Sequence, residues 1–276
     1  MSVDKIRVAR NFGRYVKSYG DYAVVQKRMA HQLLQRVHRA GGSHAGRIIE
    51  IGCGTGYFTQ LLAETCRRSK ITAIDICSEA VAVARLRLRH NPKLNFRVAD
   101  GEALDERNCD LLVSNATFQW FNNLPGAFAR YYACLRDGGA LLFATLGQGT
   151  FKELYVSMNK TWGNRAHAIG ANYKRHFPSP EAIESYLSAA GFTRVRVEQE
   201  KATEMYNSVK DFLYAIKHIG AGNPKPMVLS PRSLAKLISF YSEHFSVRGR
   251  IQATYAVIYG EAVKTVQGNT VRNYEW

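Results

Sequence analysis

The stretch from Arg47 to Gly56 constrains this chain more than any other. Ile48, Ile49 and Ile51 form a β-branched apolar run that reads as a buried strand. Gly52, Gly54 and Gly56 follow at alternate positions, with Cys53 between the first two. Glycines in that rhythm permit a tight turn and a close backbone approach to a ligand. From Tyr57 to Glu64 apolar residues recur at helical spacing. The unit is strand, glycine turn, helix, and exposed N–H groups of such a turn bind polar or anionic atoms. The spacing G-x-G-x-G departs from the G-x-G-x-x-G of dinucleotide-binding turns, and no Gly-Lys-Ser/Thr follows as in a phosphate loop. Glu50, two residues before Gly52, would repel a pyrophosphate and suits a ligand carrying positive charge.

Later strands repeat the arrangement of an acid or amide at the carboxyl end. Ile71 to Asp75 reads as a second strand, and Asp75 ends it 19 residues beyond Gly56. An acidic residue there can accept both hydroxyl hydrogen bonds of a ribose. Leu94 to Val98 is a third strand with Asp100 just after it, and Cys109 to Asn115 a fourth. Helices over 78–90 and 125–135 separate them, which predicts an α/β fold with a Rossmann-like, mostly parallel sheet and right-handed crossovers. Ligands of such sheets lie outside the carboxyl ends of the strands. Glu50, Asp75, Asp100 and Asn115 all fall there.

The flanking sequence is expected to be helical over 5–40, where Val25, Met29, Leu33 and Val37 form an apolar stripe that Gly41-Gly42 ends. Within it, Phe12 to Gly20 is basic, aromatic and interrupted by glycine; it reads equally as a mobile cover or a docked terminal helix. After Asp137-Gly138-Gly139 come a strand over 140–146, a helix over 179–190, a strand over 193–198, an interrupted helical stretch over 205–248 and a last strand over 251–259. The chain is expected to be one domain over 1–276, with the last strand antiparallel, a helical cover at 1–42, and insertions at 148–178 and 205–248 forming a lid.

The form E-x-G-x-G-x-G resembles motif I of the class I S-adenosylmethionine-dependent methyltransferases. The resemblance implies that the turn cradles the methionine end of S-adenosylmethionine, whose ammonium and sulfonium are cationic, and that the product is S-adenosylhomocysteine. It implies cofactor binding by Glu50, Gly52, Cys53, Gly54, Gly56, Asp75, Ile76, Asp100, Gly101 and Asn115, with Asp100 at the adenine amino group. No metal is implied.

Net charge bears on the partner. The chain holds 38 Lys and Arg against 22 Asp and Glu, a net charge of +16. Residues 1–47 hold ten basic and two acidic residues, a surplus of eight. Such a chain favours acidic partners, whether nucleic acid, anionic membrane or acidic protein, and charge alone does not choose. No apolar run reaches membrane-span length, and MSVDKIRVARNFGR has no apolar signal core. Five cysteines without metal spacing or a C-x-x-C pair read as reduced thiols of a cytoplasmic protein.

A carboxylate acceptor for the methyl group needs no general base, since it is ionised at neutral pH. No histidine–carboxylate pair stands beside the motifs; His167, His176, His218 and His244 fall in the expected lid. Further stretches resemble one family, the malonyl-[acyl-carrier protein] O-methyltransferases of biotin synthesis. They are F-G-R-x-x-x-x-Y at Phe12 to Tyr19, Gln119-Trp120, and Thr145 to Leu154, with Phe177-Pro178, Ile219-Gly220-Ala221, Leu229-Ser230-Pro231 and Thr254-Tyr255. The likeness runs from about residue 8 to 264; Glu50 stands where many members have Asp. It implies methylation of the free carboxylate of a malonyl thioester, an acidic acyl-carrier protein as partner, and no membrane. Tyr19, Gln119, Trp120 and Arg175 are the candidate substrate residues, in that order. The alternatives are a class I methyltransferase acting on another small acid or a quinone precursor, and an RNA methyltransferase. The absence of prolines in Asn115-Ala116-Thr117-Phe118 disfavours the RNA reading.

Overall fold

Strand β1 (Arg47–Ile51) alternates its isoleucines across a sheet buried on both faces. Ile49 and Ile51 point to one side, into a cluster with Leu112, Phe128 and Phe143. Ile48 points to the other, packing with Leu33, Leu62 and Leu111. A computed structural model describes residues 3–163, 177–220 and 230–265. Around β1 it assembles β2 (Lys70–Asp75), β3 (Leu94–Val98), β4 (Cys109–Asn115), β5 (Leu135–Leu146), β6 (Arg194–Tyr206), the two-residue β7 (Ser246–Val247) and β8 (Arg250–Val263). The order is β3-β2-β1-β4-β5-β8-β6, with β7 paired to β8. Pairs among β1 to β5 are parallel. β8 runs antiparallel to both β5 and β6. The expected sheet, mostly parallel with an antiparallel last strand, is the one observed.

The helices are α1 (Lys5–Tyr15), α2 (Tyr19–Tyr22), α3 (Val24–Arg39), α4 (Tyr57–Thr65), α5 (Ser78–Arg87), α6 (Leu124–Cys134), α7 (Lys152–Trp162), α8 (Pro180–Ala189), α9 (Val209–His218) and α10 (Pro231–Phe245). Among the described residues none is long and apolar enough to cross a membrane. The expected helix over 5–40 is three helices. The breaks fall at 16–18 and at Ala23, not at Gly13 or Gly20, which lie inside α1 and α2. A sharp change of role explains this. Val25, Met29, Leu33 and Val37 of α3 are at most 2% exposed and belong to the core, whereas α1 and α2 lie over the carboxyl ends of the strands. One straight helix cannot serve both surfaces.

Strands β5, β6 and β8 run longer than their apolar patterns suggested. β6 reaches Tyr206 because β8 pairs with it residue by residue from Arg194 to Tyr206, and main-chain hydrogen bonding continues where side-chain alternation becomes polar. The first residues of the second expected insertion are therefore strand, and its end at 246–247 is β7.

Candidate active site

The glycine turn has the backbone its sequence requires. Gly52, Gly54 and Gly56 have φ of 77°, 52° and 81°, in the left-handed region that L side chains rarely enter. At Gly52 a Cβ would stand 1.9 Å from Thr117 Oγ1, so the turn is pressed against the end of β4. At Gly54 nothing lies within 4 Å of that position; the space there is the cavity. Gly56 caps α4, and a Cβ there would stand 3.0 Å from Ala84, so this glycine serves helix packing. The N–H groups of Gly52 and Cys53 donate to Ile74 O at 2.8 and 3.0 Å.

Asp75 splints the turn. Its carboxylate accepts from Gly54 N and Cys77 N, each at 2.8 Å. A carboxylate offers about four acceptor positions, so these two bonds leave acceptor capacity on Asp75, which lines the cavity. Burial raises its pKa, and the backbone N–H bonds oppose that shift.

Glu50 is the anomaly of the site. It is 1% exposed, and its Oε2 has no hydrogen-bond partner among the described residues. Burial pushes its pKa to about 8; the Thr59 hydroxyl eases the shift and the Asp75 charge adds to it. Glu50 does not line the cavity; it sits on β1 just before the turn. Asn115 Oδ1 is a second buried acceptor without a donor, while Asn115 Nδ2 donates to Gln26 O at 3.0 Å. Buried unpaired acceptors are costly, and two of them beside one turn fit a donor-rich, cationic ligand group.

The cavity, together with the open solvent at its mouth, spans roughly 840 Å³ of non-atom space. Its floor is Gly52, Gly54, Thr55, Asp75, Ile76, Asp100, Gly101 and Asn115. Its roof is α1 and α2, through Lys5, Val8, Phe12, Val16 and Tyr19, and one wall is Trp120 and Phe121. Phe12 meets Trp120 edge-on at 5.8 Å and lies 6.1 Å from Tyr19. Burial and the Asp75 charge raise the Tyr19 pKa, keeping its hydroxyl protonated.

Most residues expected at the site converge here. Cys53 borders an adjoining recess on the far side of Gly54. Gln119 is brought to the same turn as Trp120, but its amide is engaged: Nε2 donates to Ala116 O at 2.6 Å and Oε1 accepts from Thr145 Oγ1 at 2.9 Å. Arg175, His167 and His176 lie outside the described residues. His218 packs between Tyr15, Tyr22 and Tyr214, and His244 stacks on Phe240; neither lines the cavity.

Sequence reasoning missed Lys5. Its Nζ donates to both Asp100 oxygens, at 2.8 and 2.6 Å, and also pairs with Glu102. The roof is thus latched onto the acid expected at the adenine amino group. A signal existed: Lys5, Val8 and Phe12 are spaced to share one helix face.

A sheet of this order, with an acid-lined cavity at the carboxyl ends of β1 to β4, defines the class I methyltransferase fold. Residues 25–197 match the family model described as "Methyltransferase domain". Two curated relatives are named malonyl-[acyl-carrier protein] O-methyltransferase. One, from Acetivibrio thermocellus, is 34% identical over 98% of both chains. The other, from Geobacter sulfurreducens, is 35% identical over 94% of this chain and 98% of the relative. The chain belongs to the malonyl-[acyl-carrier protein] O-methyltransferase family. Among solved structures, the YcgJ protein of Bacillus subtilis matches with TM-score 0.59 at 14% identity, covering 86% of this chain and 99% of that one. The plantazolicin methyltransferase in complex with SAH matches with TM-score 0.53 at 14% identity, over 95% and 96%. At such identities the likeness shows a shared fold.

Proposed function

We propose that the cavity binds S-adenosylmethionine and that the protein methylates the free carboxylate of malonyl-[acyl-carrier protein], releasing the malonyl methyl ester and S-adenosylhomocysteine. Such a product would start pimeloyl synthesis for biotin, in the cytoplasm. The observation that carries the reading is the buried, unpaired Glu50 beneath a three-glycine turn, in a chain kin over its whole length to the named family. Asn115 at the cavity wall, with the Glu50 carboxyl buried behind the turn, suits an ammonium, Asp75 suits ribose hydroxyls, and Asp100 with Gly101, Ile51, Ile76 and Phe121 suits a flat ring with an amino group.

Bound there, the cofactor supplies a methyl group already activated by its sulfonium. The residues of this chain align the acceptor and exclude water. Phe12, Tyr19 and Trp120 close the cavity over the end of β4. The protonated Tyr19 hydroxyl can donate a hydrogen bond to an incoming carboxylate. That carboxylate is ionised near neutral pH, so the transfer requires no base from the protein. Gln119 would reach substrate only by giving up its bonds to Ala116 and Thr145; where it keeps them it holds the Trp120 turn in place. Arg175 remains the candidate counter-charge. Reading 205–248 as part of a lid is supported by Gly220, where a Cβ would stand 2.7 Å from Phe12 of the roof; the other lid stretch, 148–178, lies partly outside the described residues.

For the carrier, we read α1 as part of the docking face. Arg10, Arg14 and Lys17 are exposed beside the cavity roof and Arg7 is half-buried, a cationic surface for an acidic protein. Mass spectrometry with S-adenosylmethionine and malonyl-loaded carrier, with malonyl-CoA and RNA in parallel, tests the reaction. A single methyl gained on the malonyl group is expected; methylation confined to another acceptor would overturn the assignment. Reversing the four charges is expected to raise KM for the carrier-bound substrate and leave that for malonyl-CoA unchanged. Equal changes in both would remove the docking face.

A further inference from the structure

We infer that Thr145 is a positioning residue for methyl transfer: acting through Gln119, it locks the turn at the end of β4 that forms the uncharged wall of the cavity. This role rests on the reaction proposed above. β4 pairs with β5 as far as Asn115, opposite Ala144. Ala116 N then donates to Ala144 O at 2.8 Å, and the chain leaves the sheet through Ala116 at φ 54°. Residues with a Cβ rarely enter that left-handed region, and those that do cluster at functional sites. Among the described residues Asn108, Phe151 and Arg248 share it, and none of them lines the cavity. Ala116 does, with Asn115, Thr117 and Trp120.

The strained turn is held from β5. Gln119 Nε2 donates to Ala116 O at 2.6 Å, and Gln119 Oε1 accepts from Thr145 Oγ1 at 2.9 Å. A carbonyl oxygen can only accept, so the amide must face Ala116 with its NH2 group. Its own oxygen is then left for a donor, which the Thr145 hydroxyl supplies. Thr145 is 0% exposed and sits in β5 between β4 and β8, opposite Ile258, so its hydroxyl is fixed by the sheet and does not move with the turn. Beyond Ala116, Thr117 Oγ1 donates to Asn115 O at 3.1 Å and Trp120 N to Thr117 O at 3.0 Å. These bonds carry the lock to the indole that meets Phe12.

The place of the lock points to its task. Asp75, Asp100 and Gly101, on the β2 and β3 side of the cavity, suit the nucleoside. The wall from Ala116 to Trp120 carries no charged side chain and is the side left for the acceptor. A small displacement of that wall would misalign an acceptor, which slows transfer without weakening cofactor binding.

Steady-state kinetics with malonyl-loaded carrier, beside calorimetry with S-adenosylhomocysteine, tests this. Thr145→Val keeps the shape and removes the hydroxyl. Its kcat is expected to fall about tenfold or more, with S-adenosylhomocysteine affinity and KM for the carrier near wild type. Thr145→Ser keeps a hydroxyl and is expected to recover most of the loss. Glycine adopts a positive φ without strain, so adding Ala116→Gly to Thr145→Val is expected to restore part of kcat, because the turn then no longer needs its lock. Gln119→Met, at a partly exposed position, breaks both bonds and is expected to show the same loss and the same rescue, even where Thr145→Val fails to fold. Unchanged kcat in Thr145→Val or Gln119→Met, an equal loss in Thr145→Ser, no rescue by Ala116→Gly, or a parallel fall in S-adenosylhomocysteine affinity would overturn the positioning role. Wild-type protein that binds S-adenosylhomocysteine but methylates no malonyl carrier would instead remove the proposed reaction, and the role with it.

Discussion

The floor and the roof of the cavity are built by opposite means. The floor is acidic and local: Glu50 and Asp75 fall within the last two residues of their strands and Asp100 two residues beyond β3, and the turn between Ile51 and Tyr57 is held by main-chain bonds to Ile74 and by Asp75. The roof is basic and distant in sequence: Lys5 meets Asp100 across 95 residues, and Phe12 packs on Trp120. The floor has almost no freedom, because its glycines and splinting acid admit one backbone path. The roof rests on the Lys5 latch and on ring contacts among Phe12, Tyr19 and Trp120.

That contrast breaks most visibly at Gly54. Its position is open to the cavity, so Gly54→Val is expected to fill ligand space and to strain a positive φ, with cofactor binding lost by on the order of a hundredfold, consistent with losing several hydrogen bonds at once. Unchanged affinity in calorimetry would remove the turn from the binding site. Asp75→Ala removes both splint and ribose acceptor, and is expected to weaken cofactor binding by roughly 1–3 kcal/mol. Should the melting temperature fall while affinity holds, Asp75 acts on the turn alone.

Glu50 sharpens the comparison through pH. Its pKa rises from about 4.5 to about 8 on folding. Between those values the unfolded chain has released the proton that the folded protein keeps, so this group makes stability fall as pH rises through that window. Glu50→Gln is expected to flatten that decline in the ligand-free protein and raise its melting temperature at pH 8. The same variant should bind the cofactor more weakly, since it cannot provide the anion. At pH 7 the wild type should release close to one proton on binding, seen by calorimetry in buffers of different ionisation enthalpy, and Glu50→Gln should release none of it. Equal proton release from both proteins would disconnect Glu50 from the ligand.

The smallest effect belongs to the roof. Lys5→Met frees Asp100 and loosens α1. Partly exposed ion pairs contribute about 1 kcal/mol or less, so cofactor affinity is expected to rise by no more than severalfold, with faster association in stopped-flow. A lower affinity would instead mean that Lys5 holds the roof closed over the ligand.

How legible this protein was in its sequence follows the same division. Strands β1 to β4, the glycine turn and the acids at the strand ends could be read directly, because each is a short pattern whose physics is local: β-branched runs bury, alternate glycines turn, and acids end the strands. The lengths of β5, β6 and β8 could not, since a strand extends as far as its neighbour pairs with it. The split of residues 5–40 into roof and core was also hidden, because the apolar stripe of α3 says that it is buried but not that α1 must turn away to cover another surface.

The sequence by itself determined the class of fold, the place of the cavity at the carboxyl ends of the strands, and the acidic character of that place. Only the tertiary structure decided that Glu50 is sealed with its Oε2 unpaired, that Gln119 spends its amide on Ala116 and Thr145, and that Lys5 reaches from α1 to Asp100. The reason is physical. A motif encodes the conformation of adjacent residues, whereas burial, charge state and the partner of a side chain depend on whichever distant segments the packing brings beside it.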